Sequence, residues 1–212
     1  MEHTRLLWHA PPAPAEPTNE ERIRDAALRS FASHGIAATS LRTVAEAAGV
    51  SIGLLQHYFG TKAGLIAAVD QYVLRLVSDA LEAQPLPAAP ADSLTEAGRR
   101  ITNLFAEHPD AVDYLGRALV EGDAVGKVIF DGLYGISAAQ RDHFAEQQLA
   151  RPDLDPIWAA LNPLLLRFSA VILRTHIERY LPEPLFTPAQ LQRWNAAVTT
   201  LIREGQMRDQ SI

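Results

Sequence analysis

Between positions 39 and 62 of this 212-residue chain, hydroxyl, phenol and ammonium groups that can bind an oxyanion occur together. Thr39, Ser40 and Thr43 offer hydroxyl groups at a predicted helix start, where free backbone N–H groups also suit a phosphate oxygen. Tyr58 adds a phenol and Lys62 adds an ammonium group at the far edge of the same segment. The hydroxyl groups at the helix start favour phosphate binding.

Two predicted short helices position these groups. The first opens at Ser40 and stops at Gly49, which tolerates the positive φ of a tight turn. Val50 can anchor that turn in the core, and Ser51 can cap a second helix that runs through position 58. Ala45 is small where the two helices would cross closely. This pattern is typical of a helix-turn-helix, whose second helix enters the DNA major groove.

The second helix carries side chains that suit contacts with bases. A glutamine amide can pair with adenine through two hydrogen bonds, and isoleucine or leucine can contact a thymine methyl group. Two alternatives stay open, since Gln56 also suits a solvated helix face and Leu54 also suits the core. No second ligand lies at helical spacing from His57, so we expect neither a metal site there nor a cofactor.

Residues 21–66, about a quarter of the chain, resemble the N-terminal domain of the tetracycline-repressor (TetR) family. The matching features occur together in one register. They are the Ala27…Phe31…Gly35 pattern of the first helix and the segments 39–45, 48–51 and 55–62. This combination is far more specific than a helix-turn-helix pattern by itself.

The resemblance implies a dimeric repressor, without enzymatic activity, that a small hydrophobic ligand releases from a palindromic double-stranded DNA operator. The DNA contacts that it implies come from eleven residues: Thr39, Ser40, Thr43, Ser51, Ile52, Gly53, Leu54, Gln56, His57, Tyr58 and Lys62. Family members often have an aromatic residue where Gln56 stands, a small polar residue at Leu54, a basic or polar residue at Ile52 and proline at Gly60. These departures leave the fold untouched and bear on the preferred bases.

Prolines divide the chain into predicted regions. Four prolines within residues 10–17 indicate a disordered tail over residues 1–17. No proline occurs from 18 to 84, and clusters follow from Pro85 onward. We predict an all-α protein, with a three-helix DNA-binding domain over 18–62, a connecting helix over 63–84 and an effector-binding and dimerisation domain over 91–212. No stretch reaches about 18 uncharged apolar residues, so we expect no membrane partner.

Local signals predict where the helices begin and end. Thr18 with Glu21, and Ser93 with Glu96, each form a possible capping box. The body helices are expected near 93–107, 109–121, 124–149, 156–181 and 188–207. Pro163 is expected to kink the 156–181 helix or to split it after position 161. The glycines at positions 122, 126, 132 and 135 predict a helix break near them.

The resemblance also implies two sites in the body. An effector pocket among the middle helices has the candidates Phe105, His108, Tyr114, Arg117, Ile129, Leu133, Tyr134 and Phe144. A four-helix dimer interface from the last two long helices has the candidates Leu165, Phe168, Ile172, Leu191, Trp194, Val198 and Leu201. For each residue of both sets, ordinary core packing is the alternative.

Charge and composition narrow the function classes. The formal charge is -6, yet residues 1–62 hold six basic and six acidic residues, so the excess negative charge lies after Lys62. A neutral head on an acidic body can bind DNA through the head alone. The absence of cysteine excludes disulfides and thiolate chemistry and is consistent with a cytoplasmic protein. Two alternatives remain open, namely a helical enzyme with a helix-turn-helix head and a DNA binder that activates transcription or shapes DNA.

Overall fold

The computed structural model describes residues 16–82, 86, 92–121 and 124–208. Most of the predicted tail and of the proline-rich linker, residues 1–15, 83–85 and 87–91, lies outside them. The described helices are α1 (Asn19–His34), α2 (Leu41–Ala48), α3 (Ile52–Phe59), α4 (Lys62–Glu82), α5 (Ser93–Glu107), α6 (Pro109–Glu121), α7 (Ala124–Glu146), α8 (Pro156–Ile172), α9 (Arg174–Ile177) and α10 (Pro188–Gln206). A 3₁₀ turn, Glu178–Tyr180, follows α9. Within the described ranges an isolated bridge between Ala150 and Met207 is the only β pairing, which confirms the all-α prediction.

The capping box of α1 forms as its residues predict. Glu21 N donates to Thr18 Oγ1 at 3.2 Å, and Thr18 N donates to Glu21 Oε2 at 2.8 Å. Gly35, at φ 85°, ends the helix and donates its N–H to the Phe31 carbonyl. Ile23, Phe31 and the residues spaced between them on the same face are buried. Local capping and an apolar stripe are therefore sufficient to define this helix.

The α2–turn–α3 unit also agrees with its sequence pattern. Gly49 lies in the left-handed region at φ 66° and donates to the carbonyls of Ala45 and Glu46. Ser51 then caps α3, because its Oγ accepts from Leu54 N at 3.2 Å. Leu55 is fully buried and holds α3 against α1 and α2. We call these three helices, together with Lys62, the head and the helices that follow α4 the body.

Helix α4 joins this head to the body through shared packing. Its Leu65, Val69, Val73 and Val77 recur every three or four residues and are buried. They belong to one apolar core that extends from α1 to α10. The head is thus packed firmly against the body. The boundaries predicted at 18–62, 63–84 and 91–212 stay predictions.

The cap of α5 differs from the prediction. Asp92, and not Ser93, is the N-cap residue, and its Oδ1 accepts from Thr95 N at 3.0 Å. Ser93 is buried at the first position of the helix. Glu96 binds Arg99 and Arg100 instead of closing a capping box. The prediction of a Ser93–Glu96 box was wrong because two neighbouring residues both suit the cap position.

The break expected near the glycines does not occur in the described part of this region. Helix α7 runs unbroken across positions 126, 132 and 135, while position 122 lies outside the described residues. A Cβ on Gly126 would lie 2.4 Å from the Ala118 carbonyl oxygen, and one on Gly132 would lie 2.6 Å from Leu74 Cδ1. These two glycines let α7 approach α6 and α4 closely. Packing, and not a loop, explains them.

Pro163 neither splits α8 nor ends it. The helix runs from Pro156 to Ile172, and the chain bends by 70° before the next helix, so the 156–181 segment is divided eleven residues after the expected point. Asp155 caps the start, as predicted, by accepting from Ile157 N and Trp158 N. Buried neighbours on both sides of Pro163 hold the helix together, because their packing offsets the missing backbone hydrogen bond.

Among the described helices, none is by itself both long enough and apolar enough to cross a membrane. One bent pair, Pro156–Ile172 with Arg174–Tyr180, meets the length and composition criteria across a 70° bend.

Candidate nucleic-acid interface

One side of α3 is left open to solvent. Leu55 is fully buried and Phe59 is partly buried against the core, which directs the opposite side of the helix outward. Gly53, Gln56 and His57 are exposed around the rest of the helix, and Ile52 and Tyr58, which flank its buried side, are 46% and 43% exposed. Exposed isoleucine and tyrosine beside a glutamine form a surface that can contact base edges and backbone.

The rest of the predicted base-contacting set lies on or beside this surface. Gly53 and His57 are exposed, and Leu54 is half-buried, between the two roles that its sequence allowed. His57 makes an edge contact with Tyr58, at 5.6 Å between ring centroids. Ser51 is exposed, although its hydroxyl already accepts the capping hydrogen bond. The surface is compact because α3 has only eight residues.

The N-terminus of α2 presents a second group of donors. Ser40 and Thr43 are exposed, and their hydroxyl oxygens lie 2.8 Å apart. Ser40 Oγ also accepts from Thr43 N at 3.1 Å. Two hydroxyls at the positive end of a helix dipole suit a phosphate oxygen.

Thr39 does not share that position. It is buried, and its hydroxyl donates to the carbonyls of Gly35 at 2.8 Å and Ser30 at 3.3 Å. The predicted phosphate contact by Thr39 does not fit this geometry, because the hydroxyl ties the α1–α2 turn to α1. The sequence pattern could not separate adjacent threonine and serine hydroxyls by burial.

Lys62 reaches back to the same edge of the head. Its Nζ donates to the Ala37 carbonyl at 3.4 Å, three residues before Ser40, and its side chain is half-buried. Thr61 positions it by capping α4, since its Oγ1 accepts from Gly64 N at 3.1 Å. The fold therefore brings the cation of α4 beside the start of α2.

Two of the head arginines outside the predicted set, Arg22 and Arg42, form contacts that involve α2. Arg22 donates to the Ala48 carbonyl at 2.7 Å and so fastens α1 to the end of α2. Arg42 is exposed on α2 and pairs with Glu46 at 3.0 Å. The sequence could have indicated Arg42, because it is a basic residue two positions after the predicted helix start at Ser40.

The body contains a cavity among α4, α5, α7, α8 and α10, with a volume of about 110 Å³. Of the predicted effector residues, Leu133 and Phe144 line it. Arg167 and Gln140 also line it, and neither was predicted. Arg167 is the only charged residue of α8, and that was the sequence signal that was missed.

The other predicted effector residues lie elsewhere. Ile129 is fully buried in the core, and Tyr134 is half-buried outside the cavity lining. Phe105 stacks on Trp194 at 5.7 Å between centroids. Tyr114 Oη donates to Asp70 Oδ1 at 2.6 Å in the core. The predicted pocket set is therefore not one site, because most of its aromatic and aliphatic members form ordinary core.

His108 and Arg117 also lie apart from the cavity. His108 borders a groove between α4 and α5. Arg117 Nε donates to the Ala32 carbonyl at 3.2 Å, and its guanidinium lies 3.7 Å from Glu121. Arg117 thereby joins α6 to the last turn of α1, which makes it a contact between body and head.

The predicted dimer residues divide into an exposed and a buried group. Leu165, Ile172 and Leu201 are exposed. Phe168, Leu191 and Val198 are buried within the chain, and Trp194 is half-buried against Phe105. The buried group belongs to the core of the chain itself, because it packs between α8, α10 and α5.

Exposed Trp158 extends the first group, so that residues seven apart, 158, 165 and 172, recur along α8. Trp158, Leu165 and Leu201 border one groove between α8 and α10. We call Trp158, Leu165, Ile172 and Leu201 the outer apolar face. Large exposed apolar surfaces of this kind mark interaction sites.

Comparisons with known proteins agree with this geometry. The model for bacterial regulatory proteins of the tetR family matches residues 23–69, which cover most of α1 through the first part of α4. The transcriptional regulatory protein RaaS of Mycobacterium tuberculosis is 29% identical over 67% of this chain and 64% of its own length. The regulator BetI of Burkholderia thailandensis is 47% identical over 26% of this chain and 28% of its own length. The chain thus spans less than two thirds of these curated relatives.

Solved structures share the fold over nearly the whole chain. The fatty acid degradation regulator FadR from Bacillus halodurans aligns with TM-score 0.73 and 18% identity, over 91% of this chain and 98% of that one. SmeT of Stenotrophomonas maltophilia aligns with TM-score 0.65 and 18% identity, over 91% and 92%. Residues 23–69 thus match the model for bacterial regulatory proteins of the tetR family, and about nine tenths of the chain shares the helical fold of these solved structures.

Proposed function

We propose that this protein is a dimeric transcriptional repressor that binds a palindromic operator and that a small apolar ligand releases from it. The observation that carries the proposal is the outward face of α3, flanked by the hydroxyls of Ser40 and Thr43 and by Lys62. The match of residues 23–69 to the family model supports the DNA-binding part. Among the structural relatives, SmeT is described as the repressor of a multidrug efflux pump.

The residues of the surface make two kinds of contact with DNA. Ser40, Thr43, Tyr58 and Lys62 hold the sugar–phosphate backbone, which sets the register of the head without reading sequence. Gln56 and its neighbours on α3 contact base edges in the major groove. Because the body carries the whole excess of negative charge, it faces away from the phosphates and limits non-specific binding.

A dimer follows from the outer apolar face. Its residues on α8 and α10 are covered when the same face of a second subunit packs on them by two-fold symmetry. Two heads related by that symmetry match a palindrome whose half-sites face the same side of the duplex.

The cavity is the proposed effector site. Its α4 lining, Val77 and Leu81, lies on the same helix that begins at Lys62 in the head. A ligand that favours a different position of α4 changes the distance between the two heads, so the protein no longer fits the operator.

The test is selection of binding sites from a random DNA library with the full chain, followed by footprinting and a reporter assay with the selected site. We expect a palindrome protected on both half-sites and lower reporter expression when the protein is present. Selection of no preferred sequence would contradict the proposal. Increased expression would identify an activator instead, and binding that bends DNA without changing expression would identify an architectural protein.

A further inference from the structure

Among the described residues, the buried arginine of the cavity has no acidic partner. Arg167 on α8 is only 8% exposed, and its Nη1 donates to Asn195 Oδ1 of α10 at 3.3 Å. In the described part of the chain Arg167 forms no ion pair, and the cavity lining around it contains no aspartate or glutamate. A buried cation without a counter-charge is strongly destabilising unless something else compensates it.

The surroundings of Arg167 are built to accommodate it. A Cβ on Gly98 of α5 would lie 3.0 Å from Arg167 Nη2, so the glycine leaves room for the guanidinium. Burial lowers the pKa of Arg167 to about 10, and the group therefore stays charged at neutral pH. The charge is retained in the folded protein although the amide of Asn195 supplies only a dipole to balance it.

A second hydrogen-bond donor of the cavity has no acceptor among the described residues. Gln140 Nε2 of α7 is buried and has no hydrogen-bond partner among the described residues. Buried polar groups are nearly always paired in folded proteins, so an unpaired one needs an explanation. Arg167 and Gln140 both line the cavity, whose other walls are mostly aliphatic and aromatic, including Ile101, Leu133 and Phe144.

We propose that the cavity binds a small apolar carboxylic acid whose carboxylate pairs with Arg167 and accepts a hydrogen bond from Gln140. A carboxylate matches the planar donors of a guanidinium and supplies the missing negative charge. The cavity of about 110 Å³ suits an apolar part of roughly six carbon atoms. This inference rests on the proposed function in that the acid would be the effector.

The test is titration calorimetry of the full chain with hexanoate, octanoate and benzoate, each compared with the alcohol of the same carbon skeleton. Hexylamine serves as the cationic probe. We expect each acid that fits to bind roughly tenfold or more tightly than its alcohol, because a hydrogen bond to a charged group is lost with the alcohol. Hexylamine is expected not to bind.

Variants assign the preference to a residue. Arg167→Met, which keeps an apolar side chain in place of the cation, is expected to remove the preference of acid over alcohol. Arg99→Met is the matched control, since it removes an arginine of α5 that pairs with Glu96 and lies outside the cavity lining. It is expected to keep the preference. Gln140→Leu is expected to weaken acid binding by a smaller factor.

Several outcomes overturn the inference: equal binding of acids and alcohols, no binding by any acid of the series, or an undiminished preference in Arg167→Met. If Arg167→Met does not fold, the proposal is still tested by two measurements: the comparison of acids with alcohols on the unaltered chain, and the loss of acid affinity in Gln140→Leu. The calorimetry is done without DNA, so it tests acid binding independently of operator binding. If the chain binds the acid but selects no operator, the proposed function is refuted and this inference is not. If neutral ligands release the protein from its operator and acids do not, this inference is refuted and the proposed function is not.

Discussion

Buried neighbours decide which side chains of the head can reach DNA. On α3, Leu55 anchors the helix, so Gln56 and Tyr58 are held on the outside. At the start of α2, the adjacent Thr39 and Ser40 have opposite environments, the first buried and the second exposed. Residue type alone therefore predicts too many DNA contacts, because it includes buried side chains such as Thr39.

Replacement of Lys62 by alanine tests the phosphate contacts. We expect Lys62→Ala to weaken binding to every DNA sequence and to lower the slope of log K against log salt by about one, because one phosphate contact is lost. Fluorescence anisotropy over a range of salt concentrations measures both quantities. Lys127→Ala is the control, since Lys127 pairs with Asp131 on α7 of the body. An unchanged salt slope in Lys62→Ala would remove Lys62 from the interface.

Replacement of Gln56 tests base recognition. We expect Gln56→Ala to relax the preference at one base pair in each half-site, at a loss of about 1–3 kcal/mol of discrimination, with little change in binding to random DNA. Site selection by sequencing measures the preference. Gln147→Ala, on the body, is expected to leave the selected motif unaltered. A motif unchanged in Gln56→Ala would contradict the assigned role.

At the scale of elements, close contacts between helices replace the loops that the sequence suggested. Gly126 lets α7 approach the backbone of α6, and Gly132 lets it approach Leu74 of α4. Since α4 begins in the head, this packing links the cavity-lining helices to the DNA-binding surface. Arg117 adds a second link, from α6 to the end of α1.

Two glycines of the same helix give a matched pair of variants. Gly126→Ala is expected to lower the free energy of unfolding by about 1–3 kcal/mol, because the new Cβ overlaps the Ala118 carbonyl. Gly135→Ala is expected to raise it by roughly 0.5–1 kcal/mol, because no atom lies within 4 Å of its Cβ position and alanine favours helix. Urea denaturation measures both. Equal effects of the two substitutions would contradict the close approach of α6 and α7.

The junction of α4 and α5 predicts a pH dependence. Arg99 and Arg100 hydrogen-bond to Glu96 and lower its pKa from 4.5 to about 2. A lowered pKa means that the unfolded state takes up the proton first as pH falls, so the stabilisation is complete above about pH 5 and is lost toward pH 2. Arg100 also donates to the Leu81 carbonyl at 2.8 Å, which fastens α5 to the end of α4.

Substitution of Glu96 isolates that contribution. Glu96→Gln is expected to be less stable than the unaltered chain at pH 7, and the difference should shrink as pH falls from 5 toward 2. Urea denaturation at several pH values measures it. Glu146→Gln at the end of α7 is the control, and its difference should show no such trend. A Glu96 difference that is constant with pH would refute the ion-pair interpretation.

At the scale of the whole molecule, charge and apolar surface are separated. The head up to Lys62 is neutral, while the remainder carries the net charge of -6. The outer apolar face lies on α8 and α10 of the body, whereas the proposed DNA contacts lie on α2, α3 and the first residue of α4. This arrangement suits a protein that binds itself through the body and DNA through two heads.

A charge placed on the outer apolar face tests the dimer. Leu165, which is 46% exposed, would face its symmetry partner, so Leu165→Glu is expected to raise the dissociation constant of the dimer by roughly a hundredfold or more. Sedimentation velocity measures the oligomeric state, and anisotropy should show weaker operator binding in parallel. Val120→Glu, at an exposed position of α6, is expected to change neither. A Leu165→Glu protein that stays dimeric would place the interface elsewhere.

The sequence by itself determined the features that depend on near neighbours in the chain. The Thr18 cap, the Gly49 turn and the Ser51 cap all involve contacts within five residues, so residue type and spacing suffice to predict them. The helix-turn-helix and most helix bounds follow from the same local rules. Where two local signals competed, as at Asp92 and Ser93, the prediction failed.

The tertiary structure decided everything that depends on distant contacts. Whether Leu165 is exposed or Phe168 buried depends on which face of α8 meets the other helices, and the apolar pattern of α8 allows both. Pro163 stays helical because packing offsets its missing hydrogen bond. Arg167 becomes a candidate ligand-binding group only when five helices enclose it and no acidic residue reaches it in the described part of the fold. Burial is a collective property of the packed helices, so spacing along the chain does not encode it one residue at a time.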